Sequence, residues 1–238
     1  ELDYPGGSST LLSNMLAGIE SLKKVIDVSE IYLAVDQNAS HHFKAKYGAS
    51  EINIIELSKP DIRGTAVSIN AVKRFLNPKH ETIVLWGDLA LWRVSDLNMV
   101  LNVQSFVCSC LAFSTRLIRD PYVAFLRSAD GKLSSVVHGN ETERYSGTAE
   151  QDCLSFVCTS EALAHLDDFI SISSSKDEID FVHFIPHLAA KGLHVIAMPI
   201  AQEGAIFGLN TPERANQINR ILRKLSLDAY IKLFRNPW

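Results

Sequence analysis

The chain has 238 residues, 47% of them hydrophobic and 21% charged, with a formal net charge of −4. That balance is ordinary for a globular protein, and the length allows one large α/β domain or two small ones. No basic block points to nucleic acid, no apolar run reaches the ~18 residues of a membrane span, and no secretory signal is visible.

The predicted elements begin with a helix. Ser9-Thr10 can cap it, and Leu11, Leu12, Met15, Leu16 and Ile19 recur at helical spacing. SEIYLAVD (29–36) reads as a strand, HHFKAKYG as a short helix stopped by Gly48, and EINIIEL as a second strand. RGTAVSINAVKRFL opens a helix at Gly64-Thr65, and ETIVLWGD is a third strand. This alternation predicts a parallel sheet with crossover helices. The second half is strand-rich: SFVCSCLAFSTR, a hairpin YVAFLRSADGKLSSVVHG turning at Ala129-Asp130-Gly131-Lys132, and QDCLSFVCTS. Helices come next over 159–169 and 177–192, then the strand LHVIAMPI. A final helix carries Thr211 as N-cap and Pro212 in its first turn. SISSSKD (171–177) reads as the most mobile loop. A doubly wound sheet usually starts with a strand and a phosphate-binding loop. Here ELDYPGGSST leads straight into a helix, as if one strand and one Gly-rich loop were missing from the front.

Several chemistries lack their patterns. Cys108, Cys110, Cys153 and Cys158 have no C-x-x-C pair or nearby histidines for zinc, and read as buried reduced thiols on strands. His183 and His187 have i, i+4 spacing but no H-E-x-x-H acid, and Pro186 intervenes. No G-x-S-x-G is present. His41-His42 reads as a surface pair, and the basic Arg220–Leu225 stretch as the solvated face of a helix.

Three local patterns remain. Gly64-Thr65-Ala66 follows Lys59-Pro60-Asp61 at a helix start, where backbone N–H groups bind oxygens and Gly permits close approach. Gly87-Asp88 ends a hydrophobic strand, where a carboxylate can hold Mg²⁺ against phosphate or simply begin a turn. Asn210-Thr211-Pro212-Glu213 enters the last helix, and Asn210 offers a neutral oxygen.

In this order the three patterns resemble the sugar-nucleotide pyrophosphorylase family, nucleotidyltransferases with a GT-A-like fold. The flavour is that of N-acetylglucosamine-1-phosphate uridylyltransferase domains and small cytidylyltransferases. The resemblance runs from about Ser9 to Arg223 and takes in the hairpin, DCLSFVCTSEAL and DEIDFVHFIPHLAAKG. It implies an α/β fold, Rossmann-like, with a mixed, mainly parallel sheet between helix layers. It also implies one domain over 1–238, with a nucleotide-binding half about 1–105 and an acceptor-binding half about 106–238. Lys59, Gly64, Thr65 and Gly87 would bind the nucleotide, with Asp88 and Lys59 catalytic. Asp88 and Asn210 would bind Mg²⁺, and Asp152 and Glu141 would contact the acceptor. The implied activity transfers NMP from an NTP, CTP or UTP favoured, to a phosphorylated small molecule, releasing pyrophosphate. The implied setting is cytoplasmic, in capsule or envelope synthesis, with homo-oligomerisation left open.

The family's first signature, G-x-G-[ST]-R with a later P-K, is absent from these residues. Asp152 stands where an Asn usually contacts the acceptor, which adds a negative charge suited to an amine-bearing acceptor. A catalytically inactive relative, used for binding or regulation, is the alternative. A GT-A glycosyltransferase would want D-x-D, and Asp88-Leu89-Ala90 lacks the second acid.

Overall fold

The computed structural model describes residues 2–5, 7, 10–48, 50–58, 63–139, 144–173, 177–200, 208–209 and 211–238. The chain divides into two compact units, each made of segments distant in sequence. One comprises Glu1–Asp27, Ile83–Val157 and His194–Trp238, and the other Val28–Thr82 and Cys158–Leu193.

The first unit is built on a six-stranded sheet: β3 (Thr82–Leu85), β4 (Leu111–Arg119), β5 (Val123–Arg127), β6 (Leu133–His138), β7 (Thr148–Cys158) and β8 (Val195–Met198). The order is β6-β5-β7-β4-β8, and β3 also pairs with β7. β4 and β8 run parallel, whereas β5 runs antiparallel to both β6 and β7. The mixed α/β character is as expected, but this sheet does not carry the expected parallel majority. The reason is the hairpin. Gly131 takes a positive φ of 82° in the turn, and Ser128 and Lys132 hold Asp130 down to about 2, a stable anionic turn acid.

Both faces of this sheet can be assigned by alternation. Ala112 and Val157 face a core formed with Met15 and Leu22 of α1 (Leu11–Leu22) and with Val94, Leu97 and Val100 of α4 (Val94–Val107). Phe113, Phe125 and Phe156 face the other way, and the Phe113 ring meets those of Phe125 and Phe156 at centroid distances of 5.0 and 5.4 Å. A further core joins Leu2, Tyr4, Ala90 and Leu91 to Ile218, Leu222, Tyr230 and Phe234 of the C-terminal helices. These are α8 (Pro212–Leu222), α9 (Leu227–Tyr230) and a π-helical turn, Ile231–Arg235. Inside that core the Tyr230 hydroxyl and the Arg235 guanidinium both donate to Asn14 Oδ1. Burial raises the pKa of both the Tyr4 and Tyr230 hydroxyls, that of Tyr4 well above the usual phenol range, so both stay neutral donors.

In the second unit, β1 (Ile31–Asp36) and β2 (Ile52–Leu57) pair in parallel, from Ile31↔Ile52 to Asp36↔Leu57. Helices α2 (Gln37–Tyr47), α3 (Thr65–Lys73), α5 (Ser160–Ala164), α6 (Leu166–Ile172) and α7 (Phe181–Ala190) complete it. The Asp36 side chain accepts from Asn38 N–H at 2.8 Å, so α2 starts directly off the strand and earlier than expected. The helix expected over 159–169 breaks at His165 into α5 and α6. Of the loop expected over 171–177, Ser171 and Ile172 end α6, and 174–176 lie outside the described residues.

One strand expectation is overturned. SFVCSC is not strand: α4 runs through Val107, and Cys108 is its left-handed cap at φ 51°. On the outer side of α4, apolar Met99 and Phe106 are exposed alongside polar Asn102 and Ser105, so the polar face that marks a surface helix is interrupted. Cys108 is consequently exposed, against expectation, while Cys110, Cys153 and Cys158 are buried. Burial, and then the Asp152 carboxylate, push the Cys153 thiol far up, which removes its thiolate at neutral pH. A thiol reagent should therefore label one cysteine, Cys108, in the native chain and four after denaturation. Mass mapping of the adduct reads this directly, and rapid native labelling of Cys153 would contradict it.

Candidate functional site

β3 is a short Thr-Ile-Val-Leu strand, and the chain then turns at Trp86, whose carbonyl accepts from Leu89 N–H at 3.3 Å. The segment after this turn fixes Asp88. Leu89, Ala90, Leu91 and Trp92 are all at most 4% exposed, so burial pulls them inward and leaves the half-buried Asp88 at their head. The Tyr4 hydroxyl donates to Ala90 C=O at 3.4 Å. The Asp88 carbonyl accepts from Leu209 N–H at 3.0 Å, and Leu89 bridges Gly208 in antiparallel fashion. The structure thus brings the segment that immediately precedes Asn210 alongside Asp88. Asn210 itself lies outside the described residues, as do Lys59 and Glu141.

The two candidate glycines differ in kind. At Gly64, φ is +119°, and a Cβ would strike the backbone of Ile179. The surrounding bonds explain that closeness. Arg63 N–H donates to Asp177 C=O at 3.1 Å, Ile179 N–H to Arg63 C=O at 2.7 Å, and Ala66 N–H to Ile179 C=O at 3.1 Å. Thr65 adds its side chain: its hydroxyl accepts from Phe181 N–H at 2.8 Å and donates to Asp180 Oδ1 at 3.3 Å. Asp180 is the N-cap of α7 but makes no side-chain cap bond of its own, so Thr65 caps that helix from a distant part of the chain. Gly87 is the opposite case. Its φ is not positive, and a Cβ there would meet nothing within 4 Å. Neither conformation nor packing calls for glycine at 87. An uncluttered approach to the Asp88 backbone is what the small residue supplies.

Asp152 lies in β7, fully buried. Alternation puts it on the face of Phe156 and Glu150. Glu150 was not singled out from the sequence, yet it accepts from the Thr115 hydroxyl at 2.8 Å and from Arg127 Nε at 2.6 Å and Nη2 at 3.0 Å. The hydrogen bond to Glu150 raises the Arg127 pKa further above its usual range. Strand alternation taken from Asp152 would have found Glu150. No sequence signal could have found Arg127, whose aim depends on the shape of the hairpin. Gly64 and Thr65 lie in the second unit, and Gly87, Asp88 and Asp152 in the first.

Among the described residues no three His, Cys, Asp or Glu side chains gather into a metal site. His187 stacks near Phe169 and Phe184, with ring centroids at 5.4 and 6.2 Å, and burial lowers its pKa. The donors at the Asp88 loop nevertheless suit Mg²⁺. A hard carboxylate oxygen, with open space at the neighbouring Gly87, fits an ion that keeps several waters and takes only one or two protein ligands alongside phosphate oxygens.

The chain is similar to several known proteins. The bifunctional protein GlmU of Gloeobacter violaceus is 25% identical over 231 residues, covering 94% of this chain and 48% of the relative. GlmU of Acetivibrio thermocellus is 22% identical over 213 residues, covering 86% of this chain and 44% of the relative. The chain spans about half the length of these curated relatives. Among solved structures, HddC from Yersinia pseudotuberculosis has a TM-score of 0.58 at 14% identity, covering 88% of this chain and 84% of that one. The same protein complexed with GMP-PN scores 0.57 at 14% identity, covering 93% and 87%. A putative glucose-1-phosphate thymidylyltransferase from Bacillus anthracis, in complex with a sucrose, scores 0.65 at 11% identity, covering 92% and 86%. No family model matches the chain. The likeness to the solved structures establishes the fold they share.

The glycine contrast is testable by chemical denaturation. Gly64→Ala should destabilise the chain by about 2 kcal/mol or more through strain and backbone collision. Thr65→Val should cost about 1–2 kcal/mol through the lost cap. Gly87→Ala should leave the midpoint unchanged, and a matching loss at 87 would contradict the assignment.

Proposed function

We propose, from its resemblance in sequence and fold to the sugar-nucleotide pyrophosphorylases, that this chain is a nucleotidyltransferase. It moves NMP from an NTP, CTP or UTP first among them, onto a phosphorylated small molecule. The observation that carries this reading is the Asp88 loop. A carboxylate at the end of a short strand is anchored by the buried Leu89–Trp92 segment and tied through Leu209 to the stretch before Asn210.

In this reading Asp88 and Asn210 hold Mg²⁺. The ion, when bound, neutralises charge on the phosphate oxygens. Gly87 admits the phosphates close to the backbone, since nothing fills the space where its side chain would lie. Lys59, Gly64 and Thr65 serve the nucleotide. The intramolecular bonds of the Thr65 hydroxyl and the Ala66 N–H favour a role for Gly64-Thr65 in shaping the base pocket through the backbone. Asp152 and Glu141 serve the acceptor, Asp152 from a fully buried position on β7. An acceptor phosphate oxygen attacks the α-phosphorus in line; the bond from that phosphorus to the bridging oxygen breaks, and pyrophosphate leaves with the electron pair. No covalent enzyme intermediate is required, and the protein contributes positioning and charge stabilisation. The negative charge at Asp152 favours an acceptor with an amine, such as a phospho-amino-alcohol or an amino-sugar phosphate. The metal, the choice of NTP and the acceptor are parts of this proposal.

Pyrophosphate release with CTP or UTP over a panel of phosphorylated acceptors tests it. Asp88→Ala should lower turnover by about a thousandfold with an unchanged unfolding midpoint. Near-normal turnover in Asp88→Ala would sink the role of Asp88.

A further inference from the structure

The β5–β6 hairpin is irregular at one step. Its register passes from Leu126↔Ser135 to Arg127↔Leu133, so β6 carries one extra residue, Ser134. The Ser134 hydroxyl donates to Leu126 C=O at 3.1 Å, which settles the extra residue in place. A bulge of this kind increases the local twist and re-aims neighbouring side chains. Arg127 stands at that step. Besides contacting its own turn, it reaches β7 and meets Glu150 with two nitrogens, Nε at 2.6 Å and Nη2 at 3.0 Å. Its remaining donors go to Gly131 C=O at 2.9 Å and to Ala197 C=O of β8 at 3.3 Å. From the other side the fully buried Thr115 of β4 donates to the same carboxylate at 2.8 Å.

This network shares a face with Asp152. Glu150 and Asp152 are two residues apart on β7, and strand alternation sets them on one side. The rings agree independently: Phe156 of β7 touches Phe113 of β4, and Thr115 lies two residues from Phe113. Stability alone accounts poorly for the arrangement. The Glu150 side chain is 12% exposed but that of Arg127 is 34%, and an ion pair open to solvent on one side contributes little to stability. What it does supply is geometry, a two-pronged bond that fixes β7 against β5 while cancelling the Glu150 charge. Without that cancellation two carboxylates would face the same ground, and each would raise the other's pKa.

We propose that Arg127 and Glu150 are positioning residues of the acceptor site: the bulge aims Arg127 at Glu150, and the pair fixes the stretch of β7 that carries Asp152, a fully buried carboxylate whose negative charge favours the acceptor's amine. Thr115 completes the seat of Glu150. This inference rests on the nucleotidyltransferase reading above.

The test compares the wild-type chain with Glu150→Gln and with the double variant Arg127→Met/Glu150→Met, which keeps the packing without the charges. The probes are CTP and UTP with phosphoethanolamine and glucosamine 1-phosphate as amine-bearing acceptors, and N-acetylglucosamine 1-phosphate as the neutral one. Both variants should raise KM for the amine-bearing acceptor about tenfold or more while KM for the NTP stays within about twofold. An unchanged acceptor KM in the folded double variant, or an equal rise in both KM values, would overturn the proposal and leave the pair as a strand tie. A wild-type chain that binds CTP or UTP by calorimetry, yet releases no pyrophosphate with any phosphorylated acceptor, would overturn the nucleotidyltransferase reading and this inference together.

Discussion

Burial of the four residues after Asp88 is the constraint on which the first unit's site depends. Leu89, Leu91 and Trp92 each gain about 2–3 kcal/mol on leaving water. Ordering the backbone of Leu89–Trp92 costs about 1–2 kcal/mol per residue. These opposing contributions nearly cancel, so burial alone would leave the loop marginal. The Leu209 N–H bond to the Asp88 carbonyl and the Tyr4 hydroxyl bond to Ala90 tip the balance and select one conformation. The second core, where Tyr4, Tyr230 and Phe234 meet Ala90 and Leu91, backs that loop from the protein interior. Asp88 is thereby a half-buried carboxylate on a fixed base.

The second unit solves a different problem. A helix start leaves N–H groups without partners, and at α3 and α7 the chain satisfies them mutually. Ala66 N–H is met by Ile179, and Phe181 N–H by the Thr65 hydroxyl. Gly64 is glycine because the Ile179 backbone comes too close for any side chain and because φ is positive. A pattern that resembles a nucleotide-binding turn is thus also a joint between two helices, and the two roles coexist only if the base is met by the backbone and its surroundings.

Much of this was legible in the residues. Thr10, Thr211 and Pro212 announce their helix starts by cap chemistry, and Thr10 and Thr211 make the expected side-chain bonds. The alternation of β1, α2, β2 and α3 followed from periodicity. Helix α4 did not, because Met99 and Phe106 on its exposed side interrupt the polar stripe that would have marked it. The C-terminal turn of π-helix was equally hidden, since only the fold decides that Arg235 swings back to Asn14. At the site, Gly87-Asp88 could be read because a polar end to an apolar strand is a local pattern. The Arg127–Glu150 pair could not: the two are 23 positions apart and no local pattern in either strand announces their meeting.

The most direct test of the Asp88 assignment is metal binding at its loop, read without turnover. Mn²⁺ in place of Mg²⁺ can be followed by electron paramagnetic resonance as free ion is titrated against the chain, with and without CTP or UTP. Nucleotide should strengthen Mn²⁺ binding in the wild type, and both the bound ion and this linkage should vanish in a folded Asp88→Ala variant. Equal Mn²⁺ binding by wild type and Asp88→Ala, with nucleotide present, would contradict the metal role of Asp88.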